Sequence, residues 1–318
     1  MIILKIGLID VDSHNYPNIP LMKISSFHKK NGDDVKWYDP TTSGHCDKVY
    51  MSKVFSFTND YEHYIDADEI IKGGTGYAIR LIEGVEVYDK RNDTRLPYEI
   101  EHIYPDYTLY GDITKDTAYG FLTRGCPRGC EFCHVKNKEG GSSVVVADLR
   151  EFWDGQKNIV LCDPNLLACN DWENLLLQLI DSKASVDFNQ GLDIRLMTEK
   201  KAEMIKKIKT KSIHFAWDSY SDKDMVVSKF KMFKEISGWN YRKMSVYVLV
   251  NFDTTIDQDL DRIYTLRDLG YNPYVMIYNK SNTNPKDTVR QLQRYVNNRI
   301  IFRSKNCKTF DEYKGMKK

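Results

Sequence analysis

Residues 120–135 read GFLTRGCPRGCEFCHV and place Cys126, Cys130 and Cys133 within eight positions, at C-x3-C-x2-C spacing. The other four cysteines, Cys46, Cys162, Cys169 and Cys307, lie outside this stretch. Three thiolates in one tight loop suit a soft metal centre, zinc or an iron–sulfur cluster. A structural zinc wants four closed ligands, usually as two pairs, and no second pair is present. His134 adjoins Cys133, but neighbouring side chains rarely both reach one tetrahedral ion. Cys162 and Cys169 read as core thiols, and Cys307 stands alone. A cubane cluster held by three thiolates leaves one iron open to a further ligand.

Outward from this loop the chain alternates strands and helices. Apolar β-rich runs predict strands at 118–123, 158–163, 185–190, 212–218, 245–252 and 274–279. Helical spacing predicts helices at 171–182, 198–209, 223–236 and 256–270, and a closing helix over 284–302 with Pro285 in its first turn. Six such units read as a partial barrel. The amino-terminal part carries the same rhythm in shorter form. Strands are expected at 2–9, 34–39, within 47–57 and at 68–74, with one helix over 19–30 stopped by Asn31-Gly32. Some crossover helices must therefore be short or absent. Residues 76–118 look irregular but carry many aromatics, which marks an ordered linker rather than a disordered one.

Composition narrows the function classes. The chain has 318 residues, 42% apolar and 29% charged, with a net charge of +1. That length is comfortable for two domains of roughly 150 residues. The charge balance offers no clear nucleic-acid signal, and KKIKTK at 206–211 reads as the solvated end of a helix. No apolar run approaches the roughly 20 residues of a membrane span, and the start MIILKIGLIDVD is too short and acidic for a signal peptide. A cytoplasmic location is expected, where clustered thiols more often bind metal than pair.

The C-x3-C-x-aromatic-C pattern, just after the first strand of a run of βα units, resembles the radical S-adenosylmethionine (SAM) superfamily. The resemblance implies a [4Fe-4S] cluster on Cys126, Cys130 and Cys133. It also implies that the open iron chelates the amino and carboxylate groups of SAM, and that Phe132 lies against the adenine. TRGCPRGC (123–130) is similar to the T-x-R-G-C-P lead-in of members with a cobalamin-binding domain. The expected fold class is thus α/β: a partial (β/α)6 TIM-like barrel of radical SAM type over 118–318, ending in a helix. A small Rossmann-like, cobalamin-binding-like domain over 1–80 and an ordered linker over 81–117 precede it.

Barrels place their sites at the carboxyl ends of strands, which selects further candidates. The second strand ends in LCDPN, giving Asp163 and Asn165. Many superfamily members carry Gly-Gly-Glu there for the SAM amino group; Asp163 resembles the variant of cobalamin-type members. DFNQGLDIRL supplies Asn189, Gln190, Asp193 and Arg195, and Arg195 suits the SAM carboxylate. Asp218 and Asn251 end later strands, where capping of the next helix is the alternative role. Tyr278 and Asn279 end the sixth.

In the amino-terminal layer, the loop after the first strand reads Asp12-Ser13-His14-Asn15-Tyr16-Pro17. It is similar to a D-x-H-x-x-G motif whose histidine ligates cobalt, with proline in place of glycine. Gly73, Gly74 and Gly76 resemble the turn that admits the corrin tail. The resemblance admits cobalamin as a third cofactor but does not require it; the other reading is a degenerate layer that recognises substrate or closes the barrel mouth.

The function these residues imply is reductive cleavage of SAM to a 5′-deoxyadenosyl radical, used for hydrogen abstraction or methyl transfer on an unidentified substrate. A one-electron donor such as flavodoxin or ferredoxin is the implied partner. The chain lacks the second three-cysteine set of tRNA methylthiotransferases and the cysteine-rich tail of peptide-maturing members. Two other classes stay open: a non-catalytic iron–sulfur sensor and a zinc-stabilised binding module. The polar strand ends argue against the sensor.

Overall fold

The computed structural model of the chain describes residues 2–13 and 16–316. The first layer is a four-stranded sheet of β1 (Lys5–Asp10), β2 (Asp34–Trp37), β3 (Cys46–Ser52) and β4 (Ala67–Gly73). Its order is β2-β1-β3-β4 and every pairing is parallel. Only the β1–β2 connection holds a helix, α1 (Ile19–Lys30). The Asn18 side chain caps its Leu21 amide at 3.3 Å, Pro20 sits in its first turn, and Asn31 ends it. Residues 38–45 and 53–66 make the other crossovers without helices. Ile6, Leu8, Leu21 and Ile24 form the core on one side of the sheet, and Ile9, Val49 and Met51 on the other.

The segment expected to be irregular contains a hairpin. After the single turn α2 (Thr75–Ala78), β5 (Ile79–Ile82) pairs antiparallel with β6 (Val85–Tyr88). Glu83 (φ 51°) and Gly84 (φ 79°) form its two-residue turn, whose positive φ pair matches strand twist. Alternating apolar residues around Glu-Gly were the missed signal. Then α3 (Tyr98–Glu101) and irregular turns reach both layers. Asp106 accepts from Lys29 and Ser25, each at 2.6 Å, while Tyr107 donates to the Phe152 carbonyl at 2.6 Å.

The second part is mixed α/β with parallel sheets. Strand β7 (Thr117–Gly120) is followed by the short pair β8 (Thr123–Arg124) and β9 (Val144–Val145), with α4 (Val135–Glu139) between them. Next come β10 (Asn158–Leu161), α5 (Trp172–Ser182), β11 (Ser185–Phe188), α6 (Glu199–Lys207), β12 (Ile213–Ala216) and α7 (Lys223–Ser237). β13 (Met244–Val250), α8 (Ile256–Asp268), β14 (Asn272–Ile277) and α9 (Thr288–Asn297) complete the alternation. One sheet is ordered β11-β10-β7 and another β12-β13-β14, all parallel. A parallel bridge between Leu192 and Phe215 joins them, so six strands succeed one another in chain order. Alternate residues such as Val186, Phe188, Phe215, Val246 and Val248 enter one large core beneath the helices.

The closing helix differs from expectation. Pro285 lies in a turn, and α9 begins at Thr288 behind Asp287. Asn298 breaks the helix by taking an extended conformation and capping Ile301 at 3.2 Å, which starts α10 (Arg299–Phe302). A further helix, α11 (Phe310–Gly315), carries a Thr309/Glu312 capping box. Among the described residues no helix is long and apolar enough to cross a membrane.

Arg262 of α8 is wholly buried and binds strand ends together. It donates to the carbonyls of Trp217 (2.7 Å), Asp218 (2.6 Å) and Leu249 (2.7 Å), and pairs with Asp259 at 2.6 Å. Arg262→Met would leave Asp259 buried without its cation. We expect a loss of about 3–5 kcal/mol of stability, read as a lower urea midpoint by circular dichroism.

Candidate functional site

The thiol loop is placed by Asp163. This carboxylate is buried behind the end of β10 and accepts from the Leu122 amide (3.1 Å), the Thr123 amide (2.5 Å) and the Thr123 hydroxyl (2.7 Å). Burial pushes its pKa up to about 6, against the pull of those donors. Asp163 therefore holds the segment that leads from β7 into the cysteines.

Pairing of β8 with β9 closes the loop at its base. Gly125 sits there at φ 84°, and a Cβ on it would lie 2.1 Å from the Ser142 carbonyl oxygen. Glu139 accepts from Arg124 and from the Gly125 amide, both at 3.3 Å, and the Cys126 amide donates to the Gly140 carbonyl at 3.1 Å. Cys126, Cys130 and Cys133 are free, partly exposed thiols. Burial raises the pKa of Cys130 and of Cys133; the Arg195 charge opposes this at Cys130, and the Val135 amide at Cys133. Among the described residues no three His, Cys, Asp or Glu side chains gather tightly enough for a single metal ion. His134 faces Glu86 of β6 at 3.6 Å.

Asn165 and Asp193 stand directly against this loop. Asn165 is buried; its Nδ2 lies 3.4 Å from Cys126 Sγ and 3.4 Å from Asp193 Oδ2, while its Oδ1 has no partner among the described residues. Asp193 also accepts from Arg195 Nε (2.8 Å) and Arg128 Nε (3.1 Å). Burial alone would raise its pKa, but Arg195 and Arg128 outweigh that and hold it below the usual carboxylate range. Arg195 further donates to Asp222 at 3.3 Å. The structure thus joins Cys126, Asn165, Asp193 and Arg195 in one hydrogen-bonded group.

Phe132 reaches the far strands. Its ring meets Phe252 edge-on at 5.5 Å, and Phe252 meets Tyr278 at 4.8 Å. Asn251, at φ 65°, donates to the Tyr278 carbonyl at 3.1 Å. Asp218 lies near Arg262, Arg195 and Cys130, and burial pushes its pKa up to about 6. Neither Asp218 nor Asn251 caps a helix: Asp222 precedes α7, and Thr255 caps α8. Gln190 is exposed in the turn after β11.

Contacts also come from the amino-terminal layer. The Tyr16 hydroxyl lies 3.2 Å from Cys162 Sγ and accepts from Asn189 at 3.4 Å, and its ring meets Tyr119 at 5.3 Å. His14 lies outside the described residues. The glycine-rich turn has a packing cause of its own. A Cβ on Gly74 (φ 100°) would lie 2.4 Å from the Lys53 carbonyl oxygen, and one on Gly76 2.6 Å from that of Phe55. A cavity of about 680 Å³ opens at the carboxyl ends of β1 and β2, lined by Asp10, Asp12, Tyr38, Tyr61 and Tyr110 among others.

Sequence reasoning missed Arg128, Glu139, Asp222 and Arg262. Arg128 lies inside the cysteine motif, so its place beside the thiols was legible; the others meet the site only through folding.

No protein-family model and no curated protein matches the sequence. Among solved structures the chain is similar to TsrM, a radical SAM methyltransferase from Kitasatospora setae, determined with cobalamin and a [4Fe-4S] cluster bound. The TM-score is 0.58 at 10% identity, over 87% of this chain and 75% of that one. The likeness shows a shared fold.

Two expectations follow. Gly125→Ala forces a Cβ against backbone and should open the loop base, raising the rate at which the loop cysteines react with a thiol reagent several-fold while the far-ultraviolet circular dichroism is unchanged. For Asp218 the folded pKa lies above that of an unfolded carboxylate, so the folded state holds the extra proton between the two values. Stability from this group is present at pH 4 and is lost as pH rises through about 6. The unfolding free energy of the wild type from urea titrations should therefore fall relative to that of Asp218→Asn between pH 4.5 and 7, by about 1–3 kcal/mol.

Proposed function

We propose that this chain is a radical SAM enzyme built on a partial (β/α)6 barrel over residues 118–318, preceded by a Rossmann-like layer over 1–80. One observation carries the proposal: a C-x3-C-x2-C loop, clamped by Asp163, follows the first of six parallel strands that succeed one another in chain order. The fold shared with a radical SAM methyltransferase supports it.

The donor set fits a [4Fe-4S] cluster. Cys126, Cys130 and Cys133, three free thiols in one loop, would hold it. Such a cluster, when bound, would supply one-electron reduction for cleavage of SAM to methionine and a 5′-deoxyadenosyl radical. This chain's residues bind and orient. The unpartnered Oδ1 of Asn165, beside Cys126, offers an acceptor to the SAM amino group. Arg195 holds Asp193 through Nε and presents NH1, its long contact to Asp222, to the SAM carboxylate. Phe132, packed on Phe252, supplies an apolar wall for the adenine, with Asp218, Asn251 and Gln190 at the surrounding strand ends. Asp163 acts through the loop that it positions. The electron comes from a flavodoxin- or ferredoxin-like donor.

The cavity beside β1 and β2 is where this layer would take a nucleotide-bearing cofactor, and cobalamin there would direct the chemistry to methyl transfer. Retention of hydroxocobalamin through gel filtration supports that branch; its loss leaves hydrogen abstraction.

The deciding assay is anaerobic reconstitution with iron and sulfide, then reduction with SAM, followed by chromatography for 5′-deoxyadenosine. The wild type should form it, and Cys130→Ala should form less than one hundredth as much. A colourless chain holding one zinc, or a brown chain that leaves SAM intact, would overturn the proposal.

A further inference from the structure

The face of the strands opposite the helices carries a polar group that the thiol site does not use. Alternation sends Val186 and Phe188 of β11 to the core and Asp187 to the other face. Val160 of β10 and Tyr119 of β7 stand in register with Asp187 on that face. On β12 His214 shares it, between the core residues Ile213 and Phe215. The His214 ring stacks on Tyr247 of β13 at 5.3 Å and 8°, and Tyr247 meets Tyr274 of β14 edge-on at 5.9 Å. Tyr274 is exposed, so this strip opens to solvent at that end. At the other end Ile19 and Met22 of α1 cover Tyr119, Val160 and Cys162.

Among the described residues two atoms in the strip are buried without a hydrogen-bond partner, Asp187 Oδ1 and His214 Nδ1. Among the described residues no lysine or arginine acts on Asp187. Its neighbours are the His214 imidazole, the Tyr16, Tyr119 and Tyr247 rings and the Cys162 thiol. Burial raises the pKa of Asp187 and lowers that of His214, so both groups are driven towards their neutral forms. A carboxylate withdrawn from water without a counter-charge costs stability. Aromatic walls around it attract cations and shed anions.

We propose that Asp187, with Tyr247 and Tyr274 as walls and His214 as a second polar contact, binds an ammonium group of the substrate on the inner face of β11–β14. The inference rests on the radical SAM reading only for calling that amine a substrate. A site kept for a ligand's charge weakens the empty chain, and that signature is independent of SAM chemistry.

The test is thermal melting of the full chain at pH 7.5, before and after cluster reconstitution, with benzylamine, its neutral counterpart benzyl alcohol, and SAM as probes. Saturating benzylamine should raise the wild-type melting temperature by about 2–4 °C, and benzyl alcohol should not. Empty Asp187→Asn should melt about 2–4 °C above the wild type and ignore benzylamine. Asp187→Ala serves the same reading if the asparagine variant is not recovered folded. A lower melting temperature for both variants would make Asp187 a structural group and overturn the site. So would equal responses to amine and alcohol, or none. A shift with SAM alone that Asp187→Asn abolishes would assign the cation to SAM and overturn the substrate assignment. A chain that binds benzylamine but never cleaves SAM sinks the enzymatic reading and leaves the ammonium site standing. Cleavage without amine binding does the reverse.

Discussion

The buried carboxylate of Asp163 accepts from the Leu122 and Thr123 amides and the Thr123 hydroxyl, and so fixes where the chain leaves β7. The thiol loop depends on that point. From it the chain runs through β8, turns at Gly125 against the Ser142 carbonyl, and returns along β9. Three donors on one carboxylate are also what allow an acidic group to sit there at all, since an unpaired one would cost several kcal/mol. The same residue type in the same strand-end position would suit direct ligand binding, but its oxygens are turned to the protein.

Around the thiols the electrostatics are arranged in pairs. Asp193 is flanked by Arg195 and Arg128, and Asp222 takes the outer side of Arg195. Each cation is thereby oriented before any ligand arrives, which lowers the ordering cost of binding. Asn165 differs: one amide end is engaged with Cys126 and Asp193, and the other is buried and unsatisfied. A buried acceptor without a donor is an uncommon condition in a folded protein.

The amino-terminal layer contributes by contact with the second part as much as by its own cavity. Helix α1 lies against Tyr119, Val160 and Cys162, and Tyr16 reaches Cys162 and Asn189. Residues 98–113 reinforce this through Asp106, Tyr107 and Tyr110, the last donating to Asp10 at 2.6 Å. Gly74 and Gly76 are required by the approach of the Lys53–Phe55 backbone, whatever ligand the layer takes.

The amino-acid sequence by itself determined the spacing of the three cysteines, the strand–helix alternation, and helix starts such as Asn18-Ile19-Pro20, because these depend on neighbours a few residues away. The hairpin at Glu83-Gly84 is written in the same local way, in a two-residue turn between apolar runs. Which polar groups meet was settled only by tertiary structure. Asp163 and Asn165 are two residues apart, yet one turns to Leu122 and Thr123 and the other to Cys126 and Asp193. Asp218 and Asn251 carry the composition of helix caps, but Asp222 and Thr255 stand at the helix starts. Arg262 reads as an ordinary surface position on an amphipathic helix and is instead buried among the strand-end carbonyls. Hydrogen-bond partners are chosen by the packing of distant segments, and burial decides which of them must be satisfied; neither is written in a local pattern.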